Sequence, residues 1–98
     1  MNGKITAIHD IPSQHGGKAF RICLSSVDEN PPRSYKSYVY ERCSNYVRWY
    51  SVIQAFKQAA PGKCEIILKG LNVFKHGYVD ADSEFFLIKR TLAPGAQA

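Results

Sequence analysis

Two kinds of side chain alternate along one segment of the chain, Tyr35-Lys36-Ser37-Tyr38-Val39-Tyr40-Glu41-Arg42. Successive side chains of an extended strand leave opposite faces, so one face carries Lys36, Tyr38, Tyr40 and Arg42. Aromatic rings stack on nucleobases, while Lys and Arg neutralise phosphates. The pattern therefore indicates a surface that holds single-stranded nucleic acid. The alternative is an ordinary antiparallel strand, whose solvent side carries Tyr and Lys for β-propensity and solubility.

Catalytic chemistry is not indicated elsewhere in the chain. The three cysteines are widely spaced, with no C-x-x-C pair and no His at a zinc-finger interval, which argues against a disulfide framework or structural metal. Cys43 lies beside a predicted helix start, but no base is visible near it. The alternating acids Asp80, Asp82 and Glu84 could crowd around Mg²⁺, although a solvated loop is the favoured interpretation. No nucleotide-binding or hydrolase motif is found, so we expect no enzyme, cofactor or metal.

Length and composition are those of one small globular domain. The chain has 98 residues, of which 45% are hydrophobic and 21% charged. A formal net charge of +5 favours polyanions, and the 13 Lys and Arg are spread along the chain, so contacts with a polyanion must come from the folded surface. No apolar run approaches 18 residues and no signal peptide is apparent, so a cytoplasmic protein is expected.

Period-two patterns predict three strands in the first half of the chain, at residues 4–11, 18–26 and 35–41. In the first, Ile5, Ala7 and Ile11 share one side, although Ile8 on the other side blurs the alternation. A turn at residues 12–17 and a Pro-rich loop at residues 27–34 separate the strands. In the second strand, the face predicted to point to the core carries Phe20, Ile22 and Leu24. The opposite face carries Arg21, Cys23 and Ser25.

The period then changes to that of a helix over residues 45–60, which begins at Ser44 or Asn45 and ends before Pro61. The apolar residues of one helix face are Trp49, Val52, Ile53, Phe56 and Ala60. A fourth strand is predicted at residues 63–74, with Gly70 as a bulge or kink. Residues 75–83 form a long polar loop or the tip of a long hairpin, and a last strand spans residues 84–90. The domain covers residues 1–91, followed by a flexible tail at 92–98.

This element order, β-β-β-α-β-β, resembles the OB-fold, a five-stranded Greek-key barrel whose helix closes one end. The resemblance covers residues 4–90 and depends on element order, size and loop placement. It implies a closed or nearly closed barrel in which Trp49, Ile53 and Phe56 are buried. The alternative is an open α+β sheet covered by one helix.

The resemblance also implies a binding site, because OB-fold proteins bind oligonucleotides on strands two and three and on two flanking loops. His15 and His76 fall on those loops and are expected to be solvent-facing rather than metal ligands. The complete set of predicted nucleic-acid contacts is Lys18, Arg21, Lys36, Tyr38, Tyr40, Arg42, Lys75 and Tyr78.

The predicted function is binding of single-stranded DNA or RNA, with DNA favoured, largely independent of sequence, in an accessory role in replication or in mobile elements. The neutral C-terminus lacks the acidic tip with which bacterial single-stranded-DNA-binding proteins recruit partners. The alternative is a protein-interaction module that uses the same Tyr-rich face, because Tyr and Arg also dominate protein interfaces. Strands one and four, if they lie at a barrel edge, would allow a homodimer.

Overall fold

The structure is a computed structural model that describes residues 1–14, 16–59 and 64–91. These ranges contain five strands, an α-helix and a 3₁₀ turn at Lys75–Gly77. The strands and helix are β1 (Gly3–Asp10), β2 (Ala19–Ser26), β3 (Ser34–Tyr40), α1 (Tyr46–Gln58), β4 (Cys64–Val73) and β5 (Val79–Thr91). No helix in this described part of the chain is both long and apolar enough to cross a membrane.

The five strands form a nearly closed barrel with the order β3-β2-β1-β4-β5, in which each neighbouring pair is antiparallel. A parallel bridge between Lys36 and Tyr78 brings β3 to the start of β5. The predicted small barrel with its helix between β3 and β4 is confirmed, in place of the open sheet. The idea that strands one and four lie at an edge is wrong, because β1 lies between β2 and β4, and β4 between β1 and β5.

Alternating apolar residues of β2 and β3 fill the barrel, among them Ile22, Leu24 and Val39. Helix α1 packs against them through Trp49 and Ile53, which are 0% and 1% exposed. Phe56 was expected to be equally buried, but it lies at the margin of the core and is only partly covered. The helix also ends at Gln58, earlier than predicted, and residue 60 lies outside the described part of the chain.

A bulge in β1 corrects the predicted face of the first strand. The pairing of β1 with β2 shifts between Ile5 and Ala7, so Ile8 lies opposite the buried Ile22. The extra residue of a bulge reverses the alternation, which explains why Ile8, and not Ala7, packs against the core. The blurred pattern of this strand was therefore a sign of the bulge.

The β4–β5 hairpin is longer than the period-two pattern predicted. Strand β5 begins at Val79, because Val79 and Ala81 are buried in the core although the acidic Asp80 lies between them. Residues 75–83 are thus mainly a hairpin arm rather than a polar loop. The predicted bulge at Gly70 is confirmed: its φ is +78°, and a Cβ there would lie 3.1 Å from the Glu84 carbonyl oxygen.

Candidate nucleic-acid interface

The outer face of β2 and β3 carries the central predicted contacts. Tyr35, Ser37 and Val39 are buried along β3, whereas Lys36 and Tyr38 between them are partly exposed. The register places Arg21 directly opposite Tyr38, and the two side chains therefore leave the same face of the sheet. The alternation predicted for this segment is confirmed as far as Tyr40, where β3 ends.

The tip of the β4–β5 hairpin brings Tyr78 onto this face. The backbone N–H of Phe74 donates to the Tyr78 carbonyl oxygen at 2.7 Å and closes the tip. His76, with φ of +65°, reverses the chain in a left-handed conformation that is uncommon for a residue with a side chain. The tip thus folds back toward β3, where Tyr78 meets Lys36 in the parallel bridge.

Two tyrosine rings and a lysine form a cluster at this junction. The ring centroids of Tyr38 and Tyr78 lie 5.6 Å apart with an interplanar angle of 42°, a tilted aromatic pair. Lys36 Nζ lies 5.3 Å from the centroid of the Tyr78 ring, within cation–π range. We call Arg21, Lys36, Tyr38 and Tyr78 the Tyr–Lys face. It combines the two groups that a single strand of nucleic acid requires, aromatic rings and positive charge.

The positive charges of this region are free of ion pairs within the described residues. Ion pairs there join Lys4 and Arg90 to Glu65, and Arg33 to Glu29. None of the predicted cationic contacts takes part in them; these contacts are Lys18, Arg21, Lys36, Arg42 and Lys75. Their charge is therefore available to an anionic partner.

Glu29, in the Pro-rich loop, is bound by two side chains that are close to it in sequence. The Tyr35 hydroxyl donates to Glu29 Oε1 at 2.7 Å, and Arg33 forms an ion pair with the same carboxylate. The hydrogen bond to Glu29 and the burial of the ring raise the pKa of Tyr35 above its ordinary value of 10.0. Glu29 thus anchors the loop that precedes β3.

Tyr40 and Arg42 lie apart from the Tyr–Lys face, at a second depression. A cavity of about 470 Å³ lies between the end of β3 and the β1–β2 loop. Glu41 closes this loop by accepting a hydrogen bond from the Lys18 backbone N–H at 2.7 Å, and Gly17, with φ of +76°, leaves room for the carboxylate. The cavity is lined by Pro12, Ser13, Gln14, Gly16, Tyr40, Arg42 and Cys43.

The other predicted contacts are dispersed. Lys18 lines a separate depression with Asp10 and Lys57, and Lys75 is exposed at the hairpin tip beside His76. His15 lies outside the described residues. Sequence reasoning missed Thr6 and Ser34, which line a depression of about 360 Å³ that also includes Lys36 and His76. No signal in the sequence marks these two residues, because neither is aromatic or charged.

Asp80 connects the helix to the barrel through hydrogen bonds. Its Oδ1 accepts hydrogen bonds from Trp49 Nε1 at 3.0 Å, from Asn45 Nδ2 at 3.2 Å and from the Ala81 backbone N–H at 2.8 Å. These bonds fasten the start of α1 to β5. Within residues 1–14, 16–59 and 64–91, no group of three or more His, Cys, Asp and Glu side chains is arranged to hold a metal ion.

No protein-family model, no curated protein and no solved structure matches this chain.

Proposed function

We propose that this protein binds single-stranded DNA, largely independently of sequence, through the Tyr–Lys face. The observation that carries the proposal is the convergence of Tyr38 and Tyr78 on one outer surface with Lys36 and Arg21, two cations that have no ion pair among the described residues. The four residues come from three strands or loops that are distant in sequence. A surface built only for solubility has no need to bring two rings into contact beside a free lysine.

The physical argument for a single strand concerns the bases. Every nucleobase has a π-face, so stacking on tyrosine tolerates any sequence, but the bases of a duplex are already stacked on one another. Arg21 and Lys36 supply the salt-dependent attraction to phosphates. Tyr40 and Arg42, at the cavity beside the β1–β2 loop, extend the same combination of ring and cation toward one end of β3.

The architecture supports placing the chain among the OB-fold proteins, because the helix follows β3 and the ring-and-cation cluster lies on β2, β3 and the β4–β5 tip. We propose an accessory role in replication or in mobile elements on the same analogy. A cytoplasmic location belongs to the proposal as well. It is supported by Cys23, Cys43 and Cys64, which are free thiols and suit a reducing compartment.

Fluorescence anisotropy with labelled oligo-dT, oligo-U and duplex DNA of equal length tests the proposal. We expect the tightest binding to oligo-dT, with affinity that falls as the salt concentration rises, and weaker binding to duplex. Tighter binding to oligo-U than to oligo-dT would contradict the choice of DNA. Absence of binding to every single strand at low salt would overturn the proposal and favour the protein-interaction module.

A further inference from the structure

One edge of the barrel is open along most of β5. The strand pairs with β4 along one side over residues 79–81 and 86–91, and residues 82–85 between them have no partner among the described residues of β4. Contact of its other side with β3 is made at Tyr78, just before the strand begins, and within the described residues no strand pairs with that side beyond this bridge. Helix α1 contacts the first half of β5, through Asp80 and Phe85. On residues 84–91 the backbone groups that point away from β4 are available to another strand.

The two faces of this open segment differ. Phe85 and Leu87 pack against the core. Phe86, which lies between them, points outward and is 52% exposed. Along the outward face the order is acidic, apolar, apolar and basic, in Glu84, Phe86, Ile88 and Arg90.

We propose that a second copy of this chain pairs antiparallel with the open edge of β5, forming a two-fold dimer whose axis passes through Leu87. In a two-fold antiparallel pair, the side chains of directly opposite residues leave the same face of the sheet. The outward-facing, even-numbered residues of one copy must therefore lie opposite even-numbered residues of the other. With Leu87 at the axis, Glu84 lies opposite Arg90 of the second copy, and Phe86 lies opposite Ile88.

Charge complementarity favours this occupant: Arg90, whose guanidinium also binds Glu65 of its own chain, meets Glu84 of the second copy. The axis at Leu87 creates two opposite-charge pairs and two apolar pairs on the outer face. Moving the axis to Ile88 places Arg90 opposite Phe86, and moving it to Phe86 replaces Glu84 with Asp82 opposite Arg90, so the axis at Leu87 is the register in which Glu84→Arg disrupts the dimer. The outward sequence is thus complementary to its own reverse, as an isologous interface requires. This inference is independent of the proposed nucleic-acid binding, because it uses no residue of the Tyr–Lys face.

Sedimentation velocity of the full chain over a range of concentrations tests the dimer. We expect a concentration-dependent species of twice the 11.0 kDa chain mass. Glu84→Arg should raise the dimer dissociation constant about tenfold, because like charges then face each other at two positions. Asp28→Arg, the same charge change at an exposed loop residue, should leave the constant unchanged. A monomer at every concentration, or equal effects of the two variants, would overturn the proposal.

Mixing experiments test the register itself. Arg90→Glu alone should also dissociate the dimer, whereas an equimolar mixture with Glu84→Arg should restore it, because both opposite-charge pairs form again. Since Arg90 also binds Glu65, circular dichroism must first establish that the variant is folded. Independently, chains with Phe86→Cys and chains with Ile88→Cys, both on a Cys43→Ser background, should form an interchain disulfide on oxidation when mixed. Failure of the folded variants to complement, or of the cysteine pair to cross-link, would contradict this register.

Discussion

The outer surfaces of β2–β3 and of β4–β5 use similar residue types for different purposes. On β2–β3, Arg21 and Lys36 form no ion pair within the described residues, and Lys36 lies over an aromatic ring. On the β4–β5 side, Lys4 and Arg90 both bind Glu65. A cation that is already held by an acid is less available to a phosphate than a cation without such a partner. Net charge alone does not distinguish the two surfaces.

The acids follow the same division. Glu65 is largely covered, and its hydrogen bond with Arg90 holds its pKa below the ordinary value of 4.5. Ala7 and Cys23, which lie between the two surfaces on β1 and β2, are uncharged. On the β4–β5 surface Glu65 thus holds two cations, whereas Arg21 and Lys36 of the β2–β3 surface have no acidic partner among the described residues. Four predictions test this contrast, from the largest expected effect to the smallest.

Trp49→Ala should weaken both surfaces together by destabilising the barrel. The indole is fully buried, lies 5.8 Å from the Phe85 ring and donates a hydrogen bond to Asp80. Its loss creates a cavity and leaves the carboxylate short of a partner, at a cost of about 3–5 kcal/mol in the free energy of unfolding. Urea denaturation measures the loss. Tyr50→Ala, on the same helix at 49% exposure, should change stability by less than about 0.5 kcal/mol.

A loss below about 1 kcal/mol for Trp49→Ala would mean that α1 does not hold the barrel together.

The position of this helix was predictable, because the 3.6-residue period places Trp49 and Ile53 on one face. The alternation of β3 was equally clear. The bulge in β1 was not, since its single extra residue only blurred the pattern of Ile5, Ala7 and Ile8.

The candidate site was predictable only in part, for a similar physical reason. The facing of Lys36 and Tyr38 follows from the local period of two, which any strand obeys. The contact between Tyr38 and Tyr78 depends on the hairpin tip folding back over β3, a non-local bridge that no local pattern specifies. Partners of the cations, such as Glu65 for Arg90, likewise depend on register. The division between paired and unpaired charges therefore becomes visible only in the fold.

Tyr38→Ala should weaken binding of a short oligo-dT by about 1–3 kcal/mol, or about 5- to 150-fold in Kd, because one base loses its stacking partner. Phe86→Ala removes an exposed aromatic ring from the β4–β5 surface and should leave the affinity unchanged. Tyr50→Ala is the matched tyrosine control. Anisotropy titrations at one salt concentration measure all three. Equal losses for Tyr38→Ala and Phe86→Ala would remove the distinction between the two surfaces in stacking, and an equal loss for Tyr50→Ala would mean that any exposed tyrosine contributes to binding.

Lys36→Ala should flatten the dependence of affinity on salt. Each phosphate contact with a single strand contributes about 0.7 to the slope of log affinity against log salt concentration, so the slope should fall by that amount. Lys4→Ala removes a lysine that is already paired with Glu65, and its slope should match that of the wild type. Titrations at several salt concentrations give both slopes. If Lys4→Ala flattened the slope as much as Lys36→Ala, pairing with an acid would not decide which lysines bind phosphate.

Glu65→Gln should make stability less dependent on pH at the acid end. Because the folded state holds the pKa of Glu65 below 4.5, this carboxylate stabilises the barrel at pH values above 4.5. The contribution declines below that pH and disappears once the pH falls through the lowered folded-state pKa. Thermal melts of wild type and variant should therefore differ at neutral pH and converge in acid. Asp10→Asn, at an exposed carboxylate outside the ion pairs described above, should leave the melting temperature at neutral pH close to that of the wild type. A difference in melting temperature between wild type and Glu65→Gln that stayed constant across the pH range would mean that Glu65 acts through its shape rather than its charge. In that case its ion pairs with Lys4 and Arg90 would not be what stabilises the β4–β5 surface.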